Sequence, residues 1–156
     1  MSINRRIVLK RVLAAGAVGI ASAAGLLMPR AVFSAWSSDA FNAKKPDDAL
    51  KSLLGSDALE RSDKISIKAP DIAENGAVVP ITVSADLDGV SSISIIADKN
   101  ATPLTSSFVL GRNTEAYIST RIKMGKTGSV IAVVKAGDKL YTATKEVKVT
   151  IGGCGG

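Results

Sequence analysis

The sequence contains no histidine and a single cysteine among its 156 residues. The absence of histidine excludes a Ser-His-Asp or Cys-His catalytic pair, histidine-ligated zinc and a haem held by a proximal histidine. The lone cysteine, Cys154, excludes an intrachain disulfide, a Cys-x-x-Cys redox pair and an iron–sulfur cluster. Aromatic residues make up only 4% of the chain, against 46% hydrophobic residues in total. We therefore expect an aliphatic core and none of these common catalytic centres.

The net charge of +6 comes almost entirely from the N-terminal part of the sequence. Residues 1–35 hold five of the 20 Lys and Arg residues and no Asp or Glu. The remaining 121 residues carry 15 basic and 14 acidic side chains, a net charge of +1. They contain no basic run interleaved with aromatic residues, so the pattern argues against nucleic-acid binding.

Residues 1–35 have the three-part layout of a cleaved export signal. A basic start is followed by an uncharged apolar run over residues 12–28, then by Arg30 and a stretch of small residues. A short transmembrane anchor is the alternative, because 17 residues is at the lower limit for crossing a bilayer. The run is rich in Ala and Gly, and this weak hydrophobicity favours a signal over an anchor.

The segment Asn4–Lys10, with paired Arg5 and Arg6, resembles the motif of twin-arginine export signals. An ordinary secretory signal is the alternative, because such signals are also basic at the start. Cleavage after Ser34, Ala35 or Ala40 would in each case leave a small residue at the cut.

The exported part is predicted to form one short helix followed by seven strands. Pro46 and two aspartates suit the first turn of a helix that Gly55 can end. From Lys64 onward, apolar and polar residues alternate with the period of two that is typical of strands. The predicted strands are 64–69, 79–85, 93–95, 108–110, 115–124, 130–134 and 141–151.

Several residues predict how these strands are arranged. The run 130–134 is apolar throughout, which indicates a central strand. Pro80 indicates an edge strand, because proline cannot donate a ladder hydrogen bond. Gly137-Asp138 leaves two residues between strands, as in a tight hairpin. We therefore predict a mainly β fold, an immunoglobulin-like antiparallel β-sandwich with a short N-terminal helix. The predicted units are a signal over 1–35, a helical segment over 36–62, a sandwich over 63–151 and an arm over 152–156.

The last five residues, Gly152-Gly153-Cys154-Gly155-Gly156, follow the final predicted strand directly. Four glycines without side chains predict a slim, flexible arm that carries the thiol about 10 Å beyond Ile151. The arm contains no base, acid or cation to activate the cysteine, and the nearby terminal carboxylate disfavours its thiolate. Cys154 is therefore better suited to attachment than to catalysis. The alternatives are a frayed end of no function and a cysteine that forms an intermolecular disulfide.

The ending Val147–Gly156 resembles that of the SoxY family, the sulfur-carrier subunits of the periplasmic Sox thiosulfate-oxidising system. Further similarities lie in the segments 73–80, 98–104 and 119–124, so the resemblance covers nearly the whole exported part. It implies a periplasmic carrier that is not itself an enzyme and holds no cofactor. Cys154 would bear the sulfur cargo, while Gly152, Gly153, Gly155 and Gly156 would provide reach and clearance.

The resemblance also implies a set of partners. SoxZ would form a heterodimer with the carrier, and the haem enzyme SoxAX would conjugate thiosulfate to the cysteine as an S-thiosulfonate. SoxB, a manganese hydrolase, would then release sulfate. The sulfane dehydrogenase SoxCD, where a host has it, would oxidise the remaining sulfur.

Two other classes of function remain open from the residues alone. One is a ubiquitin-like carrier that bears sulfur on its terminal Gly-Gly carboxylate, although that chemistry requires cytoplasmic ATP-dependent enzymes. The other is an exported β-sandwich adhesion or assembly module in which Cys154 forms an intermolecular disulfide. Exchange of Cys154 for serine separates a carboxylate carrier from a thiol carrier, and non-reducing gels would identify the disulfide-linked module.

Overall fold

The computed structural model describes residues 37–150, which begin with two helices. Helix α1 spans Ser38–Asn42 and helix α2 spans Pro46–Leu54. At the end of α2, Gly55 adopts a φ of 77° and its N–H donates to the Lys51 carbonyl at 3.0 Å. This left-handed conformation favours glycine and confirms the predicted end of the helix. Helix α1 was not predicted, since five residues are too few to show a helical period.

Nine strands follow the helices. They are β1 (Glu60–Arg61), β2 (Ile65–Lys68), β3 (Ile72–Ala73), β4 (Val79–Ala85), β5 (Val90–Ala97), β6 (Leu104–Val109), β7 (Tyr117–Ile122), β8 (Gly128–Ala136) and β9 (Lys139–Val149). All seven predicted strands are present, with bounds shifted by a few residues. The additional strands, β1 and β3, have two residues each and cannot show an alternating pattern.

The strands form two sheets that pack as a sandwich. The larger sheet has the order β1-β9-β8-β5-β6, with β3 also on β9, and the smaller sheet has the order β2-β4-β7. The longer strands pair antiparallel, whereas β1 and β3 run parallel to β9. This architecture confirms the predicted immunoglobulin-like β-sandwich with a short N-terminal helix, to which the structure adds α1. Strand β8 lies between β9 and β5, as its apolar sequence predicted, and Gly137-Asp138 joins β8 to β9.

The prediction that Pro80 marks an edge strand is wrong. Strand β4 lies in the middle of the smaller sheet. However, β2 pairs with β4 only between Thr82 and Ala85, while Pro80 pairs with Arg121 of β7 on the other side. Pro80 therefore lies where β4 has a single neighbour, so proline is tolerated at an end of a central strand that its second neighbour does not reach.

The interior contains two apolar clusters rather than one. The cluster between the sheets is aliphatic, with fully buried side chains such as Val83, Ile93 and Val134. In β5, Ile95 belongs to this cluster whereas the next residue, Ile96, packs with the helices. Successive strand residues point to opposite faces. The helices therefore cover the outer face of the larger sheet, and the fold has three layers.

Strand order brings one set of chain ends together. Strand β9 ends at Val149, β5 ends at Ala97 and β7 ends at Ile122, while β8 begins at Gly128 next to the end of β9. Because neighbouring antiparallel strands alternate in direction, these ends and the loops between them meet at one end of the sandwich. Thr150, the last residue described, lies at this end.

Candidate functional site

All residues of the predicted site lie outside residues 37–150. These are Cys154, the glycines 152, 153, 155 and 156, and the export residues Arg5 and Arg6. The structure describes the chain that leads to them: Thr150, the last residue described, precedes Cys154 by four positions. We call the segment Lys148–Thr150 the arm root.

One side of the arm root is held by β3 and its flanking residue. The Lys148 N–H donates to the Asp71 carbonyl at 3.0 Å, and the Thr150 N–H donates to the Ala73 carbonyl at 3.1 Å. An ion pair of 3.0 Å between Lys145 and Asp71 adds a side-chain link to the same segment. The parallel pairing of β3 therefore continues to the last described residue.

The other side of the arm root is held by one hydroxyl group. The ladder between β8 and β9 ends with the pair Gly128 and Val147. Beyond it, Thr127 Oγ1 accepts a hydrogen bond from the Val149 N–H at 2.9 Å and donates one to the Val149 carbonyl at 3.3 Å. A single side chain thus replaces a strand residue at this edge, so the arm root is held on both edges of β9.

Gly76 packs its backbone directly against the arm root. The Met124 N–H donates to the Gly76 carbonyl at 2.7 Å, which extends the pairing of β4 with β7. A Cβ atom at Gly76 would overlap the Met124 carbonyl oxygen and would lie 2.7 Å from Val149 Cγ1. The contact with the Met124 oxygen and the contact with Val149 Cγ1 would both be shorter than ordinary contacts between such atoms. The absence of a side chain at Gly76 therefore allows this loop, the Met124 loop and β9 to meet.

Asn100 ties a second loop to the same region. Its side-chain amide donates to the Lys123 carbonyl at 2.6 Å, and its Oδ1 atom accepts from the Gly125 N–H at 2.9 Å. These bonds bracket Met124, which is 2% exposed. The neighbouring Asp98 accepts a hydrogen bond from the Ser129 N–H at 2.7 Å. The loop after β5 is therefore fixed to the loop between β7 and β8.

No function was predicted from the sequence for Gly76, Asn100 or Thr127. Gly76 and Asn100 lie within segments that resemble one family, whereas Thr127 carries no sequence signal at all. The segments 73–80, 98–104 and 119–124 were noted as similar to one family, and each contributes to this end of the sandwich. Their convergence around the arm root is what the structure adds.

Two further properties of the described part bear on function. Within residues 37–150, no group of three or more Asp, Glu, Cys or His side chains is placed to hold a metal ion. In the same range, neither helix combines the length and the apolar character that crossing a membrane requires.

Comparison with known proteins identifies the family. The sequence model of the family described as "Sulfur oxidation protein SoxY" matches residues 50–154. The solved structure of the sulfur carrier protein SoxY from Chlorobium limicola f thiosulfatophilum is 46% identical, with a TM-score of 0.63, over 69% of this chain and 97% of that chain. Among curated proteins, no match was found.

A second solved structure concerns T cell specificity and activation by the bacterial superantigen toxic shock syndrome toxin-1. It matches at 10% identity and a TM-score of 0.40, over 55% of this chain and 99% of that chain. The family match, in contrast, covers most of the chain and ends on Cys154. On these grounds the chain belongs to the SoxY family of sulfur oxidation proteins.

Proposed function

We propose that this chain carries sulfur intermediates of thiosulfate oxidation on the thiol of Cys154 and presents them to separate enzymes. A sulfur-carrier role in the Sox system follows from the family and from the related SoxY structure. The attachment site, the partners and the location go further and belong to the proposal. In it, Gly152, Gly153, Gly155 and Gly156 give the arm reach and clearance.

The observation that carries the proposal is the position of the family match relative to the fold. The match runs from residue 50 to residue 154, so it includes the cysteine itself. The described structure supports an arm anchored at one point, because hydrogen bonds hold Val149 and Thr150 on both edges of β9. Cys154 lies four positions beyond Thr150, a span of at most about 14 Å. A fixed root with a short reach suits delivery of a thiol into partner active sites.

In this proposal the partner enzymes carry out the oxidation and hydrolysis steps. Joining thiosulfate to the Cys154 thiol forms an S–S bond, releases one proton and requires that two electrons be removed. The haem enzyme SoxAX would accept them. SoxB would then add water to the terminal sulfonate and release sulfate, which leaves a persulfide on the carrier. SoxCD, where present, would oxidise that sulfur before a second hydrolysis.

Assembly and export complete the proposal. The carrier would be exported to the periplasm by the signal in residues 1–35, with Arg5 and Arg6 as the twin-arginine pair, and would form a heterodimer with SoxZ. The structure favours cleavage after Ser34 or Ala35 over cleavage after Ala40. Ala40 is fully buried within α1, so a cut there would remove part of a helix that packs on the larger sheet.

Intact-mass analysis of the protein from thiosulfate-grown cells tests the attachment site. We expect sulfur-containing adducts that a thiol reductant removes, and we expect none on Cys154→Ser. Protein from cells grown without reduced sulfur compounds is the matched control. Adducts that persist on Cys154→Ser would contradict attachment to the thiol and would favour the terminal carboxylate.

Purification from the periplasm tests the assembly. We expect a stable complex with a second chain, SoxZ, and an N-terminus near residue 35 or 36. Recovery of monomer alone, or of a disulfide-linked homodimer alone in freshly isolated protein, would contradict the heterodimer.

A further inference from the structure

A positively charged cavity opens at the same end of the sandwich as the arm root. Its volume is about 490 Å³, and it is lined by Lys99, Asn100, Ala101, Thr102, Lys123, Gly125 and Lys126. Three of the seven lining residues are lysines and none is acidic. The carboxylate of Asp98 lies 3.6 Å from the Lys99 ammonium group and accepts a backbone hydrogen bond from Ser129. Within residues 37–150, Lys123 and Lys126 form no ion pair, so the cavity has an excess of positive charge.

The walls of this cavity are fixed and are connected to the arm root. Asn100 bonds to the main chain of both Lys123 and Gly125, so the two lysine-bearing loops keep a constant spacing. The same loop continues to Thr127, whose hydroxyl holds Val149. The cavity is therefore already formed in the folded chain, and its lining residue Lys126 directly precedes Thr127, which anchors the arm root.

We propose that this cavity binds the anionic, oxygen-bearing end of the sulfur cargo carried on Cys154. The inference rests on the proposed function. A sulfonate group is negatively charged at neutral pH, and lysine ammonium groups attract it and donate hydrogen bonds to its oxygens. The span from Thr150 to Cys154, at most about 14 Å, sets the distance over which the cargo can reach the cavity.

Tethering allows weak exposed charges to act on the cargo. An isolated pair of exposed charges is screened by salt and binds a free anion poorly. Attachment through a short linker raises the local concentration of the anion to the order of millimolar. Occupancy is then partial and reversible. Such binding keeps the cargo close to the carrier between partners and still lets it leave for an active site.

The test compares an anionic and a neutral adduct on the same thiol. Tetrathionate loads Cys154 chemically: the thiolate attacks an inner sulfur atom, an S–S bond forms and thiosulfate leaves. The product is the S-thiosulfonate, which bears one negative charge. Methyl methanethiosulfonate gives a neutral S-methyl disulfide at the same atom. The readout is the NMR amide spectrum of the isotopically labelled protein, isolated from an exporting host together with any partner that co-purifies.

The expected result is a charge-dependent shift of signals from the cavity. The anionic adduct should shift the amides of residues 100–102 and 125–126, and the neutral adduct should leave them near their unloaded positions. Raising the ionic strength from about 0.1 to 1 M shortens the screening length from about 10 to 3 Å and should reverse most of the shift.

A charge-matched pair of triple variants locates the effect. Changing Lys99, Lys123 and Lys126 to Gln should abolish the shift, because it removes the three charges that line the cavity. Changing Lys44, Lys64 and Lys68 to Gln alters the net charge equally, and these exposed lysines do not line the cavity. The control variant should retain the shift.

Three outcomes would overturn this inference and leave the proposed function standing. They are equal shifts with the neutral adduct, shifts that persist in the cavity variant, and the absence of any shift with the anionic adduct. If the anionic adduct gives no shift but the cavity variant loses turnover with partner enzymes, the lysines serve an acidic partner instead. Failure of thiosulfate-grown cells to load Cys154 would contradict the proposed function itself, and chemical loading does not depend on that result.

Discussion

The contact between Gly76 and the arm root predicts that Gly76→Ala is destabilising. The added methyl group would overlap the Met124 carbonyl oxygen and would lie 2.7 Å from Val149 Cγ1. A comfortable carbon–carbon contact is about 3.5–4.0 Å, so the loops must separate by roughly 1 Å or the side chain of Val149 must move. The backbone oxygen has no rotamer to change, and it therefore resists the displacement.

The expected cost follows from two opposing terms. Overpacking of this kind costs about 1–3 kcal/mol of unfolding free energy, while replacement of glycine by alanine recovers about 0.4–1 kcal/mol by restricting the unfolded chain. We expect a net loss of about 1–2 kcal/mol. For a domain of this size, each kcal/mol lowers the melting temperature by about 4 °C, so Gly76→Ala should melt roughly 4–8 °C lower.

Urea denaturation of Gly76→Ala and Gly125→Ala provides the assay and its matched control. Gly125 lies at the same end of the sandwich, and a Cβ atom there would lie 3.8 Å from its nearest neighbour, Asn100 Oδ1. Its φ is negative, so alanine is compatible with its backbone. We expect Gly125→Ala to be neutral or slightly stabilising. Equal midpoints for the two variants would refute the close-packing argument.

Three further predictions concern the arm root, the arm and a surface ion pair. Thr127→Val keeps the shape of the side chain but removes both hydrogen bonds to Val149. Thermal melts should therefore show a loss of about 1 kcal/mol in the free energy of unfolding. An unchanged melting temperature would show that the hydroxyl group does not hold the arm root. Changing Gly153 and Gly155 together to Val should alter stability by less than about 0.5 kcal/mol and leave alkylation of the thiol unchanged, but should reduce turnover with partner enzymes. Wild-type turnover would contradict the role of the glycines. The ammonium group of Lys51, 2.9 Å from the Asp57 carboxylate, lowers the pKa of Asp57, and the pKa of Lys51 is raised in turn. The stabilisation by this pair should be present above the ordinary Asp pKa of 3.8 and should be lost as the pH falls through the lowered pKa of Asp57. The difference in unfolding free energy between wild type and Lys51→Gln should therefore vanish in strong acid. A difference that persists there would contradict the assignment of the ion pair.

Local sequence signals were sufficient where neighbouring residues decide the conformation. The period of two located six of the seven longer strands, and an uninterrupted apolar run located β8, because each strand buries one or both faces in a sheet. Pro46 and Gly55 marked the bounds of α2, and Gly137-Asp138 marked the hairpin between β8 and β9. These features depend on backbone preferences of single residues and on contacts within one turn. The attachment role of Cys154 stays a prediction, because that residue lies outside the described range.

Contacts between distant parts of the chain decided the rest. Strands β1 and β3 are only two residues long and are defined by pairing with β9, so no pattern within them could reveal them. The central position of β4 and the third layer formed by the helices likewise depend on how the sheets assemble.

The sequence by itself determined the fold class and pointed to Cys154 as the candidate attachment site, because periodicity and composition are properties of consecutive residues. Only the tertiary structure determined the surroundings of the arm root. Gly76, Asn100 and Thr127 come together with Val149 from four separate segments, since the strand order places their loops at one end of the sandwich. Their roles are contacts between backbone and side-chain atoms far apart in the chain, and such contacts exist only once the strands have paired.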